Sequence, residues 1–260
     1  MTLIFIHGSG GCKESWQYQT QYFEGSEAID LPGHPDGDLC ETIDEYVAWV
    51  REYILEKGYQ DIILAGHSLG GAIALQYALD YPEDLKCIIL IGSGARLRVH
   101  PSFLESLEKA VDDPGAWEEA SNSTYDLINP ELADIIKKRA AENGPGAFLN
   151  DLKACDRFDV MDRIASLTVP LLAICGDQDM MTPPKYSNYL VDKIAGAKAV
   201  IIPGGTHFAF AEKHLKSIRL LRRFSREFNK HYIIQILYFF FLGTSSATSR
   251  IWPLFSRPCR

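Results

Sequence analysis

The sequence predicts an α/β protein in which a mostly parallel sheet is covered by helices on both faces. Apolar, strand-like runs alternate with segments of helical periodicity along most of the chain. Those runs are continuously apolar rather than apolar at every other position, as strands buried on both faces are. The alternation breaks once, from Arg96 to about Asp162, where only helical segments punctuated by Pro101, Pro114, Pro130 and Gly144-Pro145-Gly146 occur. With 260 residues, 47% of them hydrophobic, the chain has the material for one core domain carrying a lid.

Taken in order, Leu3 to Ile6 reads as a short strand running into the glycine-rich loop His7-Gly8-Ser9-Gly10-Gly11, and a helix follows over Lys13 to Phe23. The loop lacks the Lys-Ser/Thr pair of a phosphate cradle and the spacing of a dinucleotide fingerprint, so it is read as a loop of free backbone amides. Ser26 to Leu31 is the next strand. Thr42 caps a helix over Ile43 to Lys57 with Glu45 as its capping-box partner, and Gly58 stops it. Asp61 to Ala65 and Cys87 to Ile91 are strands flanking a helix over Ala72 to Tyr81. After the helical insertion come a strand over Val169 to Cys175, a helix over Pro184 to Ile194, a strand over Ala199 to Ile202 and a helix over Ala209 to Phe228.

The formal net charge of -8, with no Lys/Arg stripe, argues against a nucleic-acid partner and for a small, largely uncharged ligand. Six cysteines (Cys12, Cys40, Cys87, Cys155, Cys175, Cys259) are dispersed without metal-ligand or disulfide spacing and are read as reduced thiols. The first residues, Met1-Thr2-Leu3-Ile4-Phe5-Ile6, form neither a basic leader nor a long apolar core, which points to a cytoplasmic protein.

The chemistry centres on Gly66-His67-Ser68-Leu69-Gly70. A Gly-x-Ser-x-Gly between a predicted strand and a predicted helix puts Ser68 on a tight turn, with small residues on both sides and a helix N-terminus behind it. A serine hydroxyl is a poor nucleophile at neutral pH, so it needs a base in reach and a third group to orient that base. Asp179, in Gly176-Asp177-Gln178-Asp179, and His207, in Gly204-Gly205-Thr206-His207, follow the next two strands, where parallel sheets place functional side chains.

His7-Gly8-Ser9, Gly66-His67-Ser68-Leu69-Gly70-Gly71, Gly176-x-x-Asp179 and Gly205-x-His207 thus stand in one order along the chain. In these motifs the sequence resembles the α/β-hydrolase superfamily, and within it the small serine esterases with a helical cap, over roughly Thr2 to Phe228. The resemblance implies an α/β-hydrolase fold with a helical cap inserted after the strand Cys87 to Ile91, giving a core over 1–95 and 163–230 and a cap over 96–162. It implies Ser68 as nucleophile, His207 as base and Asp179 as acid, since the family's acid is usually the second Asp of such a stretch; Asp177 is left to loop structure. The oxyanion donors it implies are the backbone N–H groups of Ser9 and Leu69. Neither cofactor nor metal is called for. Among the other histidines, His7 is read as holding the oxyanion loop and His67 as pointing away from the elbow, while His34, His100, His214 and His231 are packing or surface residues. Because the oxyanion donors are backbone groups, Leu69→Ala is expected to be mild.

Taken with the motifs, the resemblance implies a serine esterase acting on small, largely uncharged carboxylic esters through an acyl-enzyme. Carbon-carbon hydrolases of ring-fission products, lactonases, thioesterases and lyases of menaquinone synthesis use related sites, and a small-molecule receptor on the same fold is the alternative of another class. Phe208 after His207 leans toward an ester, because the carbon-carbon hydrolases typically carry a Trp there. Trp117, Tyr125, Phe148 and Phe158 of the cap are candidates either for an acyl pocket or for ordinary packing.

Two ends depart from the family pattern. The family usually has two more strands before the His-Gly loop, so the sheet edge at Leu3 to Ile6 is expected to be short of cover. At 231–260 a run apolar on every side, Tyr232 to Leu242, precedes a polar, basic stretch. It is shorter than the about twenty residues that span a bilayer. A homodimer contact through this tail, or through the sheet edge, is the favoured reading, with a membrane-surface anchor and an aberrant extension as alternatives.

Overall fold

The computed structural model describes residues 1–113, 115 and 125–228 of the chain. Six strands, β1 (Thr2–Ile6), β2 (Glu27–Ile29), β3 (Ile62–His67), β4 (Leu85–Ile91), β5 (Leu171–Gly176) and β6 (Lys198–Ile202), form one sheet in the order β2-β1-β3-β4-β5-β6. Every pairing is parallel, as the continuously apolar strands predict. A 3-10 turn (Lys13–Trp16) leads into α1 (Gln17–Tyr22), followed by α2 (Ile43–Glu56), α3 (Leu69–Asp80), α4 (Pro101–Ala110), α5 (Pro130–Arg157), α6 (Lys185–Lys193), α7 (Ala209–Glu212) and α8 (His214–Arg226).

Successive strand residues point to opposite faces, so two cores form. On one face Ile4, Ile6, Leu64 and Leu90 pack with α2, α3 and α6; on the other Leu3, Phe5, Ile63 and Ile89 pack with Trp16, Phe210, Leu221 and Phe224. The predicted fold class, a parallel sheet with helices on both faces, is what the chain adopts.

Differences from expectation fall at element ends. The strand before Ser68 runs on to His67 and the helix after it begins at Leu69, so the turn expected between Ala65 and Ala72 narrows to Ser68 alone. Helix propensity undervalues Gly70 and Gly71, which the packing requires to be small. The single helix expected over Ala209 to Phe228 is two, α7 and α8, meeting at Lys213 (φ -115°). There Glu212 turns back to accept the Thr206 N–H at 2.9 Å and the Thr206 hydroxyl. The chain's first strand is not a sheet edge: β1 lies between β2 and β3, and the three-residue β2 is the edge. The edge expected at Leu3 to Ile6 is therefore displaced one strand outward. The tail over 231–260 lies outside the described residues.

Between β4 and β5 the described residues carry α4 and α5, the latter bent at Gly144 (φ 80°, ψ 161°) ahead of Pro145. Entry and exit of this insertion are tied together: Arg96 bridges to Asp159, Val160 N–H donates to the Ala95 carbonyl at 2.9 Å, and the Arg96 guanidinium pairs with the Asp159 carboxylate at 2.7 Å. Among the described residues no helix is long and apolar enough to cross a membrane.

The α2 cap is formed on both sides, with Thr42 Oγ1 accepting the Glu45 N–H and Glu45 Oε2 accepting the Thr42 N–H, each at 3.2 Å. Thr42→Ala is expected to cost about 1 kcal/mol, read as a lower midpoint in denaturant.

Candidate active site

Ser68 is the single residue between β3 and α3, and its backbone (φ 51°, ψ -112°) lies where a residue with a side chain is strained. The surroundings hold it there. Its N–H donates to the Ile91 carbonyl of β4 at 2.9 Å, and its carbonyl accepts the Gly71 N–H and the Ser93 hydroxyl, each at 2.9 Å. The turn can close only around glycine: a Cβ on Gly66 would stand 2.0 Å from the Gly70 carbonyl oxygen, and one on Gly70 2.4 Å from the Ile6 carbonyl oxygen.

Asp179 and His207 follow the carboxyl ends of β5 and β6 and meet there, His207 Nδ1 donating to Asp179 Oδ2 at 2.9 Å. The Asp179 carboxylate, only 2% exposed, also takes Met181 N–H (2.9 Å), Thr182 N–H (2.8 Å) and the Thr182 hydroxyl (2.8 Å). Burial by itself raises its pKa, but His207 and these donors outweigh burial and hold it at about 2. An ionised carboxylate on Nδ1–H leaves Nε2 as the basic nitrogen of His207. Asp177, two residues earlier, instead accepts the Gly204 N–H at 2.8 Å and shapes the β6 turn.

Ser68 and His207 line one cavity of about 120 Å³, roofed by residues from the segment between β4 and β5. That is many times the roughly 10–15 Å³ that one water needs, so it holds several heavy atoms. Its floor includes Gly8, Ser9 and Gly10, and its roof Phe103, Tyr125 and Phe148; among the described residues that line it there is no Asp, Glu, Lys or Arg. Tyr125 and Phe148 thus face the cavity, whereas Phe158, 5% exposed, packs in the core beside Cys155 and Val160, and Trp117 lies outside the described residues. Ser9 sits on the loop after β1 and Leu69 at the first position of α3. Neither backbone N–H is engaged by another group among the described residues.

His67 corrects an expectation. Rather than pointing away from the elbow, it lies against His207, ring centroids 4.7 Å apart, and its Nε2 donates to the His207 carbonyl at 3.0 Å. Burial, then the neighbouring His207, push its pKa well below the usual imidazole range, so it is a neutral ring packed behind His207. His7 donates from Nδ1 to the Gly8 carbonyl (2.8 Å) and accepts the Leu31 N–H on Nε2 (3.0 Å); burial lowers its pKa to about 4. Behind the same loop lies a cluster with no motif to announce it: buried Asp151 from α5 accepts from Gly10 N–H (2.8 Å), Tyr46 (2.6 Å) and His34 (3.0 Å).

This is the geometry of an α/β hydrolase. Residues 3–216 match the Alpha/beta hydrolase family, and the chain belongs to it. A pimeloyl-[acyl-carrier protein] methyl ester esterase of Neisseria meningitidis serogroup B (strain H44/76) is 28% identical over 211 residues, 75% of this chain and 80% of that protein. Among solved structures, a thermophilic esterase is 31% identical with a TM-score of 0.74, covering 87% of this chain and 90% of the other. A lipase-esterase related protein from Clostridium acetobutylicum ATCC 824 is 26% identical with a TM-score of 0.72, covering 86% and 93%. The chain is thus a hydrolase by family, and ester-hydrolysing proteins are what it is similar to.

Two predictions follow from this geometry. The folded-state pKa of Asp179 lies below its ordinary value of 3.8, so its contribution to stability is present above about pH 4 and is lost as pH falls through about 2. Stability measured by denaturant should therefore drop less steeply between pH 4 and pH 2 in Asp179→Asn than in the wild type. The expected mildness of Leu69→Ala holds for turnover alone: Leu69 is wholly buried among core residues. Its truncation should cost about 2–5 kcal/mol of stability, while kcat per folded molecule stays near that of the wild type.

Proposed function

We propose that the protein is a serine esterase of small, neutral carboxylic esters. Ser68 Oγ attacks the acyl carbon as His207 Nε2 takes its proton, and the carbonyl π electrons move to oxygen. The oxyanion is received by the N–H groups of Ser9 and Leu69, each worth roughly 3–4 kcal/mol of barrier where such donors are preorganised. Asp179 keeps the imidazole in the Nδ1–H tautomer and stabilises the imidazolium. His207 then passes the proton to the departing alcohol oxygen. Water, deprotonated by the same nitrogen, attacks the acyl-Ser68 ester and releases the acid, returning the proton to Ser68.

The observation that carries this reading is a serine strained at φ 51° in the cavity that His207 also lines, with His207 held by a carboxylate at 2.9 Å. The substrate class rests on the cavity wall, whose aromatic and aliphatic side chains favour an apolar acyl group and offer an anionic one no cation. The naming of its relatives as esterases agrees with it.

The test is release of p-nitrophenol from acetyl to dodecanoyl esters by the protein and by Ser68→Ala. Turnover fastest on short chains and reduced about 10⁴-fold or more in the variant is expected. Equal rates for both proteins would overturn the nucleophile, and faster cleavage of ring-fission dienoates than of any ester would overturn the substrate class.

A further inference from the structure

Backbone N–H groups stabilise an oxyanion only if they are fixed before the reaction. The loop proposed to supply one of them, Gly8-Ser9-Gly10-Gly11, is poorly suited to hold itself still, because glycine has the widest conformational freedom of any residue. Within the loop the Gly11 N–H reaches the Gly8 carbonyl at 3.0 Å. The grip on the remaining peptide groups comes from the cap. Asp151 Oδ2 of α5 accepts the Gly10 N–H at 2.8 Å, and Asn143 Nδ2 of the same helix donates to the Gly10 carbonyl at 3.1 Å and the Gly11 carbonyl at 2.7 Å. The three successive peptide groups that follow Ser9 are thereby tied to α5.

Asp151 has no exposed surface, and a buried carboxylate costs several kcal/mol unless its oxygens are fully paired. It is paired: Tyr46 of α2 donates to Oδ1 at 2.6 Å, and His34 Nε2 donates to Oδ2 at 3.0 Å beside the Gly10 N–H. The other His34 nitrogen meets the Pro32 carbonyl at 3.1 Å, so both nitrogens face acceptors and the ring carries both protons. Burial alone would lower the His34 pKa, but the hydrogen bond to Asp151 and its charge outweigh burial and raise it. An apolar residue would fill this space at less cost, so the carboxylate is explained by what it accepts.

We propose that Asp151 and Asn143 of the cap are positioning residues for the reaction, clamping Gly10 and Gly11 so that the Ser9 N–H is held ready for the oxyanion. The proposal rests on the serine-esterase reading and makes the cap part of the apparatus as well as its roof. Neither residue touches substrate in this role. Their loss shows in the transition state rather than in substrate binding.

The experiment compares Asp151→Ala, Asp151→Asn, Asn143→Ala and Tyr46→Phe with the wild type. Each is measured for kcat and KM on p-nitrophenyl acetate, for inhibition by phenylboronic acid, whose adduct with serine is tetrahedral, and for fold by circular dichroism. Asp151→Ala and Asn143→Ala are expected to lose about ten-fold or more in kcat, with KM within about three-fold and boronate affinity falling in step with kcat. Asp151→Asn should recover most of the rate, because its amide oxygen can still accept the Gly10 N–H. Tyr46→Phe, which frees only the far oxygen, should lower thermal stability and leave kcat unchanged. Folded Asp151→Ala and Asn143→Ala proteins with wild-type kcat, or with lost kcat but undiminished boronate affinity, would overturn the proposal. If Asp151→Ala does not fold, Asn143→Ala, half-buried and outside the ion pair, decides alone. Ser68→Ala runs alongside: activity surviving in that variant overturns the esterase reading itself, whatever the clamp variants do.

Discussion

The closest constraint in the molecule is the contact between the end of β3 and the start of α3. Gly66 and Gly70 let a strand and a helix meet with one residue between them, and that residue must then take the strained backbone seen at Ser68. Strain of this kind costs on the order of 1–3 kcal/mol and persists only where the surroundings over-determine it. Here the neighbouring strands do so. Ile91 of β4 takes the Ser68 N–H, and Gly70 lies so close to the Ile6 and His7 carbonyls that β1 must deliver its loop beside the elbow. One packing requirement therefore places both the proposed nucleophile and the loop proposed to serve its oxyanion.

The partners of Ser68 depend on the same parallel sheet. β5 and β6 run alongside β4 and end on the same side, so the loops carrying Asp179 and His207 open beside the turn that carries Ser68. What those loops add is restraint. Four donors converge on the Asp179 carboxylate, and His67 ties the His207 carbonyl to the elbow itself. The residue before Ser68 thus connects His207 to the turn.

The parts of the site that could be read in the sequence are those whose chemistry is confined to a few neighbouring positions. Gly66 to Gly70, Asp179 and His207 each sit in a short motif at the end of a strand-like run, and the chain order of the motifs supplies the rest. The parts that could not be read depend on distant pairs. Asp151 reaches His34 across 117 positions and Tyr46 across 105, and a buried Asp on a helix has no local pattern that distinguishes it from a surface one. The place of His67 against His207 is not legible because alternation along a strand says which face a side chain takes, not what stands on that face. The aromatics between β4 and β5 divide for the same reason: Tyr125 and Phe148 reach the cavity and Phe158, just past the end of α5, the core.

The way α5 is held also decides from which side the cavity is open. Its middle is bound to the loop after β1 through Asn143 and Asp151, and Arg139 is engaged with Glu14 and Asp30 of the core. Its far end runs into the paired neck at Arg96 and Asp159. Lifting α5 would break these contacts together and strip the buried His34 and Tyr46 of the carboxylate they share. Among the described residues α4 has no hydrogen bond to the loop after β1, and its Phe103 is both 39% exposed and part of the cavity wall. The exposed edge of the cavity wall is thus formed by Phe103 of α4 together with Met181, 47% exposed, while α5 is tied to the loop after β1.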